Sequence, residues 1–260
     1  MSLAPATVSE WVKFRTVRST LFTLAATVVL SIGIGALICF AQRQQWPKEN
    51  AAVHLTFDPT ATSLSGFFLA EIAIGVIGVL IMTSEYTSGS IRATLAATPV
   101  RLVVLIAKGI VLFTSTLVVA EICAFASFFV GQAVLKGTET ATLSQPGVLR
   151  AVLLGGLSLP LLALLALGIG TMLRHTAGSI TMYVSLTFVL FLIVLALPSS
   201  WNVHVFKFLP EILAGSMRSS RQNTGEFGAL FSPSVSTLVL AGYAVASLVG
   251  GGALLLRRDA

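Results

Sequence analysis

The chain has 260 residues, of which 55% are hydrophobic and only 10% charged, and its mean hydropathy is +0.94. A soluble domain carries about 25% charged residues, so this composition excludes one and implies an all-α protein that crosses a bilayer several times. The net charge of +6 does not point to nucleic acid, because the basic residues fall in the gaps between apolar runs, where they set topology.

A hydrocarbon core about 30 Å thick needs roughly 20 apolar residues in a helix. Six runs qualify: 21–41, 64–84, 109–134, 149–173, 177–198 and 235–256, in a single membrane domain over residues 1–260. No small-residue cleavage pattern follows the first run, which is expected to remain as a span. Only Arg174, His175 and Thr176 separate the fourth run from the fifth, which predicts a tight antiparallel hairpin capped by His175. Cys39 and Cys123 lie inside apolar runs without a CxxC partner or metal-ligand spacing, and read as small buried hydrophobes. His54 and His204 lie in or beside loops and suggest no metal site.

The basic residues set the orientation. Lys13, Arg15, Arg18, Arg92, Arg101, Lys108, Arg174, Arg257 and Arg258 fall on one side, mostly close to span ends. Arg43, Lys48, Lys136, Arg150, Lys207, Arg218 and Arg221 fall on the other, in longer loops. The positive-inside bias therefore places both termini and the 85–108 segment in the cytoplasm.

That segment reads EYTSGSIRATLAATPVRLVVLIAK. Glu85 is the first charge after the second run, and Tyr86 suits the headgroup level. Gly89 permits a sharp change of direction. From Ser90 to Thr98 two helical turns are expected, with Ile91 and Leu95 on one face and Arg92 pointing away. Pro99 ends them by disfavouring the α region at Thr98. Arg101 and Lys108, seven apart, share a face of the next helix. Counted from Leu102 that helix reaches about 50 Å at 1.5 Å per residue, too long for one crossing. The segment reads as a helix–turn–helix elbow projecting from the bilayer, or as an amphipathic linker lying on lipid.

Two carboxylates sit inside the runs, Glu71 in the second and Glu121 in the third. A charge at that depth must face protein or water. They either line a path for a polar or cationic substrate or serve as buried structural carboxyls, and no basic partner is evident within the runs. Ser31 and Gly35, and Ala166 and Gly170, mark close helix approaches. Pro160, after Gly155 and Gly156, reads as a kink that serves packing or, less favoured, a gating hinge. In the external segment 199–234, Val203, Phe206, Leu209 and Leu213 recur at helical spacing, with Trp201 and Phe208 suited to the interface. Residues 216–228 read as polar and flexible.

The pattern Glu85-Tyr86, Gly89, Ile91-Arg92, Thr94-Leu95, Thr98-Pro99, Arg101 and Ala107-Lys108 resembles the first cytoplasmic loop of ABC-2 type transporter permeases. The opening SEWVKFRTVRSTLFTLAAT, residues 9–27, resembles permeases of this family from high-GC Gram-positive (actinobacterial) bacteria. The resemblance implies a plasma-membrane permease, the pathway-forming subunit of an ATP-driven exporter. It implies that the elbow is a coupling helix seated on a nucleotide-binding subunit, with Ile91 and Leu95 as knobs and Arg92 and Arg101 at the rim. An N-terminal interface helix bearing Trp11, Lys13, Arg15 and Arg18 lies beside it, and Glu85 pairs with a base such as Lys13 or Arg15. A second permease, identical or not, is implied.

The chain contains no GxxxxGK[ST] loop. It is therefore read as no enzyme, with no cofactor of its own, and ATP and magnesium belong to a separate ATPase polypeptide. The other readings are an ATP-independent secondary transporter, which would favour internal repeats that the two halves lack, and a non-transporting membrane sensor subunit. An intramembrane enzyme would need a nucleophile–base or HExxH motif at membrane depth, and the runs carry none.

Overall fold

Every backbone polar group inside a bilayer must be paired within the chain, so apolar runs of this length fold as helices. The computed structural model describes residues 3–98, 100–196, 205–221, 224, 225 and 228–257. Helix α1 (Leu3–Thr16) leads into the first span, α2 (Arg18–Lys48), through an extended Val17. Two short helices follow, α3 (Ala51–Thr56) and α4 (Pro59–Ser63), capped by the side chains of Asn50 and Asp58. Then come the second span α5 (Phe67–Thr87), the elbow helix α6 (Ile91–Ala97), the third span α7 (Arg101–Val134) and the fourth span α8 (Val148–Leu173). The fifth span α9 (Thr176–Leu195), a short helix α10 (Pro210–Arg218) and the sixth span α11 (Pro233–Arg257) complete the order. A two-residue pairing of β1 (Thr224–Gly225) with β2 (Gly228–Ala229) precedes α11.

Six of these helices are long and apolar enough to cross a membrane, at the places the apolar runs predict. The protein is an all-α, multi-pass membrane protein. Helix α7 is unbroken over 34 residues, so its first turns exceed a single crossing.

Helix α8 is the central post. Within its most apolar stretch 78% of residues are buried, against 22% in α2 and 28% in α9, which stand at the edge. Small residues make the tight packing possible. A Cβ on Gly78 would lie 2.3 Å from Ala163 O and 2.9 Å from Ala166 Cβ, and Gly170 faces Val79 across the same contact. The first span touches the α4–α5 turn through Gly35 and through a π turn at Leu30–Ile34, whose Ser31 carbonyl abuts Gly66. Both small-residue pairs expected at close approaches are therefore found at them. Pro160 is accommodated inside α8 without ending it. Arg174, at φ 57°, turns the α8–α9 corner, and His175 Nδ1 accepts from Gly178 N at 3.1 Å.

The segment between the fifth and sixth spans departs from expectation in its described residues. Leu209 is extended because Pro210 follows it, so the helix begins at Pro210 instead of running through from Phe206. Phe206, Leu209 and Leu213 are buried as their spacing suggests. Residues 216–221, expected to be flexible, are pinned. Asp58 accepts from Ser219 Oγ, Ser220 N, Ser220 Oγ and Arg221 N at 2.8–3.2 Å, and Arg221 reaches Glu139 at 2.6 Å. Pro99, Trp201, Val203, His204 and Arg258 lie outside the described residues.

Candidate functional site

The elbow forms because α5 must stop. Gly89, at φ 71°, takes the left-handed conformation a side chain resists, and its N–H reaches back to Tyr86 O at 3.2 Å. Helix α6 then lies against the bundle with its apolar side inward. Ile91 is 3% exposed in the same apolar cluster as Phe14, Met82 and Leu105, and Leu95 packs half-buried at its edge. The expectation that Ile91 projects as a knob is corrected: the shared face of Ile91 and Leu95 covers the chain's own core, where burial is most favourable. The outer face is left to Arg92, Ala93, Ala96 and Ala97, which are exposed.

Beside the elbow four charges close a square. Lys13 Nζ donates to Glu10 Oε1 and Glu85 Oε1, both at 2.8 Å. Lys108 Nζ donates to Glu10 Oε2 at 2.8 Å and Glu85 Oε1 at 2.7 Å. The Lys13 ammonium also reaches Thr94 Oγ1 of α6 at 3.3 Å. One polar knot thus joins α1, the end of α5, the elbow and α7. The two acids and two bases cancel, which is how so many charges are buried together. For Lys13, burial pulls the ammonium's pKa down, but the hydrogen bonds and charges of Glu10 and Glu85 outweigh it and hold it above the ordinary lysine value.

Lys13 and Glu85 meet, and Lys108 joins them while Arg101, on the same helix, takes a different partner. Lys108 is 1% exposed and committed to the two carboxylates. Arg101 also turns inward, donating to Leu255 O at 2.8 Å in the last turn of α11. Arg174 approaches Leu254 O at 3.5 Å and stacks over the Tyr86 ring at 5.1 Å. Arg15, Arg18 and Arg92 are exposed, as is Trp11, which stacks on Phe14. Glu10 was the member sequence reasoning missed. Its signal was local, a carboxylate three residues before Lys13 on one helix face.

The opposite end of the bundle holds a second buried cluster. Glu71 is fully buried, with Oε1 2.9 Å from Arg218 Nη1. Arg218 Nη2 donates to Glu211 Oε1 at 3.0 Å. Tyr183, also fully buried, donates its hydroxyl to Glu71 O at 2.9 Å. No run supplies Glu71 with a base; its partner arrives from α10, 147 residues along the chain and outside the apolar runs. Glu121 packs its carboxyl against Gly156, where a Cβ would lie 2.5–2.7 Å from its atoms. The described residues contain no group of His, Cys, Asp or Glu arranged to hold a metal.

Residues 7–207 match the family model described as ABC-2 family transporter protein. No curated protein matches the chain.

Proposed function

Since the chain belongs to the ABC-2 family of transporter proteins, we propose that it forms the translocation pathway of an ATP-driven exporter whose ATPase is a separate subunit docked on the elbow. In this reading the elbow end and both termini face the cytoplasm. A second permease, a copy or a homologue, completes the pathway, and the ATPase binds ATP and magnesium. The cargo belongs to the drug, antibiotic, peptide or lipid-like classes such exporters carry.

The ion square carries this reading. A docked ATPase that moves α6 pulls on Thr94, and through Lys13 on α1, Glu85 of α5 and Lys108 of α7. Rigid-body transmission needs such a stiff joint between the docking element and the spans, and alternating access follows from tilting them. The docking surface is the exposed face of Arg92, Ala93, Ala96 and Ala97, with Arg15 and Arg18 available nearby to acidic partners or anionic lipid. Glu71 and Glu121 remain candidates for the pathway wall.

The test is copurification. The tagged chain is extracted from native membranes in mild detergent, and its companions are identified by mass spectrometry, alongside an Ala96→Asp variant. Ala96 is exposed, so the change alters the outer face without cutting the core that Leu95 helps to fill. A P-loop protein that accompanies the wild type and is lost from the variant supports the docking role. No ATPase even after crosslinking sinks it and moves the ATP-independent carrier and sensor readings ahead.

A further inference from the structure

Glu121 belongs to neither ion cluster. It sits midway along α7, about 20 Å from Lys108 and about 20 Å from the helix end at Val134, at 1.5 Å per residue. That is the depth of the bilayer centre. Its carboxyl lies flat on Gly156 of α8, where a Cβ would meet its carbon and both oxygens at 2.5–2.7 Å. The residue is half-buried, and its neighbours Val118 and Ile122 on α7 are exposed. Oε2 is shielded and finds no hydrogen-bond partner, which leaves Oε1 as the oxygen open to the outside.

Among the described residues no donor or base answers this carboxyl. Arg218, which packs on the adjacent Gly155, is held by Glu71 and Glu211. Ser158 Oγ donates to Gly155 O, and Thr114 Oγ1 donates to Ile110 O. Burial acts on Glu121, and neither a neighbouring charge nor a hydrogen bond opposes it. A lone carboxylate at that depth is costly, so the group rests as the neutral acid. The same seam leads to open space. An apolar groove of ≈ 840 Å³ runs between α7, α8 and α11, lined by Phe113, Thr114, Leu164, Val249 and Ala253 among others. Its size suits a small ligand. Thr114 and Glu121 are two helical turns apart, so they share a face of α7 at a separation of about 10 Å. The groove offers room for an apolar body, and Glu121 offers the polar group that the groove lacks.

We propose that Glu121 and the groove form one site for a lipophilic amine, its apolar chain in the groove and its nitrogen at Glu121 Oε1. The amine enters the bilayer as the free base. Its lone pair takes the carboxyl proton: the O–H bond breaks, an N–H bond forms, and an ammonium–carboxylate pair without net charge results. Neither partner has to carry a lone charge into apolar surroundings. An anion would meet no cation at this position. The site belongs to the chain itself. Only its use as a route for cargo rests on the export reading, and binding is measured without transport, so either can fail alone.

The experiment treats the full chain in phosphatidylcholine nanodiscs with dicyclohexylcarbodiimide. This apolar reagent adds the O–H of a neutral carboxyl across one C=N bond, and the adduct rearranges to a stable N-acylurea with no atom lost. Modified peptides are mapped by mass spectrometry. Glu121 should be labelled, whereas Glu71, buried against Arg218, and Glu10 and Glu85, held by lysines, should not. Excess N,N-dimethyldodecylamine, a tertiary amine that is not itself acylated to a stable product, should abolish most of the Glu121 label, and dodecanol should not. Thr114→Trp fills the groove from an exposed position and leaves Glu121 in place, so labelling should persist while protection by the amine is lost. Val249→Trp, exposed on the facing helix, repeats that test if the first variant fails to fold. A wild-type Glu121 that takes no label overturns the proposal. So does equal labelling by a water-soluble carbodiimide, protection by dodecanol equal to that by the amine, or protection that a folded groove-filling variant leaves intact.

Discussion

Lys108 Nζ stands 2.7 Å from Glu85 Oε1 although the two residues belong to successive spans separated by the elbow, and Lys108 is 1% exposed. This contact closes the loop that the elbow opens. Removing the lysine leaves two buried carboxylates with the half-exposed Lys13 as their remaining partner and Glu10 Oε2 without its donor, so Lys108→Ala is expected to destabilise the protein by about 3–5 kcal/mol. Lys13→Ala removes an ammonium that is 41% exposed and should cost about 1 kcal/mol or less. Thermal unfolding of the detergent-solubilised variants measures both. Equal losses would mean that the two lysines are not differently buried. Reversing Glu85 alone should be worse than reversing it together with Lys108 to Glu, because the pair restores opposite charges at one contact.

The same square has a pH signature. The ammonium of Lys13 titrates above its ordinary value of 10.5. A raised folded pKa contributes stability that is complete below the unfolded value and disappears as pH rises through the folded one. The stability difference between wild type and Lys13→Met should therefore stay constant from neutral pH to about 10 and shrink only above 10.5. Unfolding curves collected over that range decide it, and a difference that fades between pH 7 and 9 would show that Lys13 is not held by the carboxylates.

Where the sequence was informative follows from the range of the interactions. The spans are set by runs of apolar residues, and Gly89 by the local need for a positive φ, so both could be read residue by residue. Helical periodicity assigned Ile91 and Leu95, and likewise Arg101 and Lys108, to shared faces. It could not say what those faces met. Packing against Phe14 and Leu105 turned Ile91 inward, Glu10 of α1 captured Lys108, and the end of α11 took Arg101. Arg218 was the hardest to place. It sits in a polar stretch that looks like loop, and only the docking of α10 brings it to Glu71.

At that second cluster Arg218 is, among the described residues, the base that joins Glu71 and Glu211. Arg218→Ala strands two buried carboxylates and should cost about 3–5 kcal/mol. Arg218→Lys should recover only part, since one ammonium cannot reproduce the guanidinium fork that reaches both acids. Glu211→Gln leaves the Glu71–Arg218 pair in place and should be the mildest of the three. Thermal stability of the three variants in one detergent gives the order, and a harmless Arg218→Ala would remove the cluster from any account of how α10 is held.

Tyr183 and Gly75 offer a coupled test on the same wall. The Tyr183 ring lies where a Cβ of Gly75 would be, at 1.9–2.6 Å, and its hydroxyl reaches Glu71 O at 2.9 Å. Gly75→Ala must displace the ring and should cost about 1–3 kcal/mol through overpacking. Tyr183→Phe removes one buried hydrogen bond and should cost about 1 kcal/mol. The ring cannot shift and keep that bond, so adding Tyr183→Phe to Gly75→Ala should cost almost nothing more. A double-mutant cycle on unfolding free energies measures the coupling. Strict additivity would mean that the ring yields without losing Glu71, and that Gly75 is small for some reason other than Tyr183.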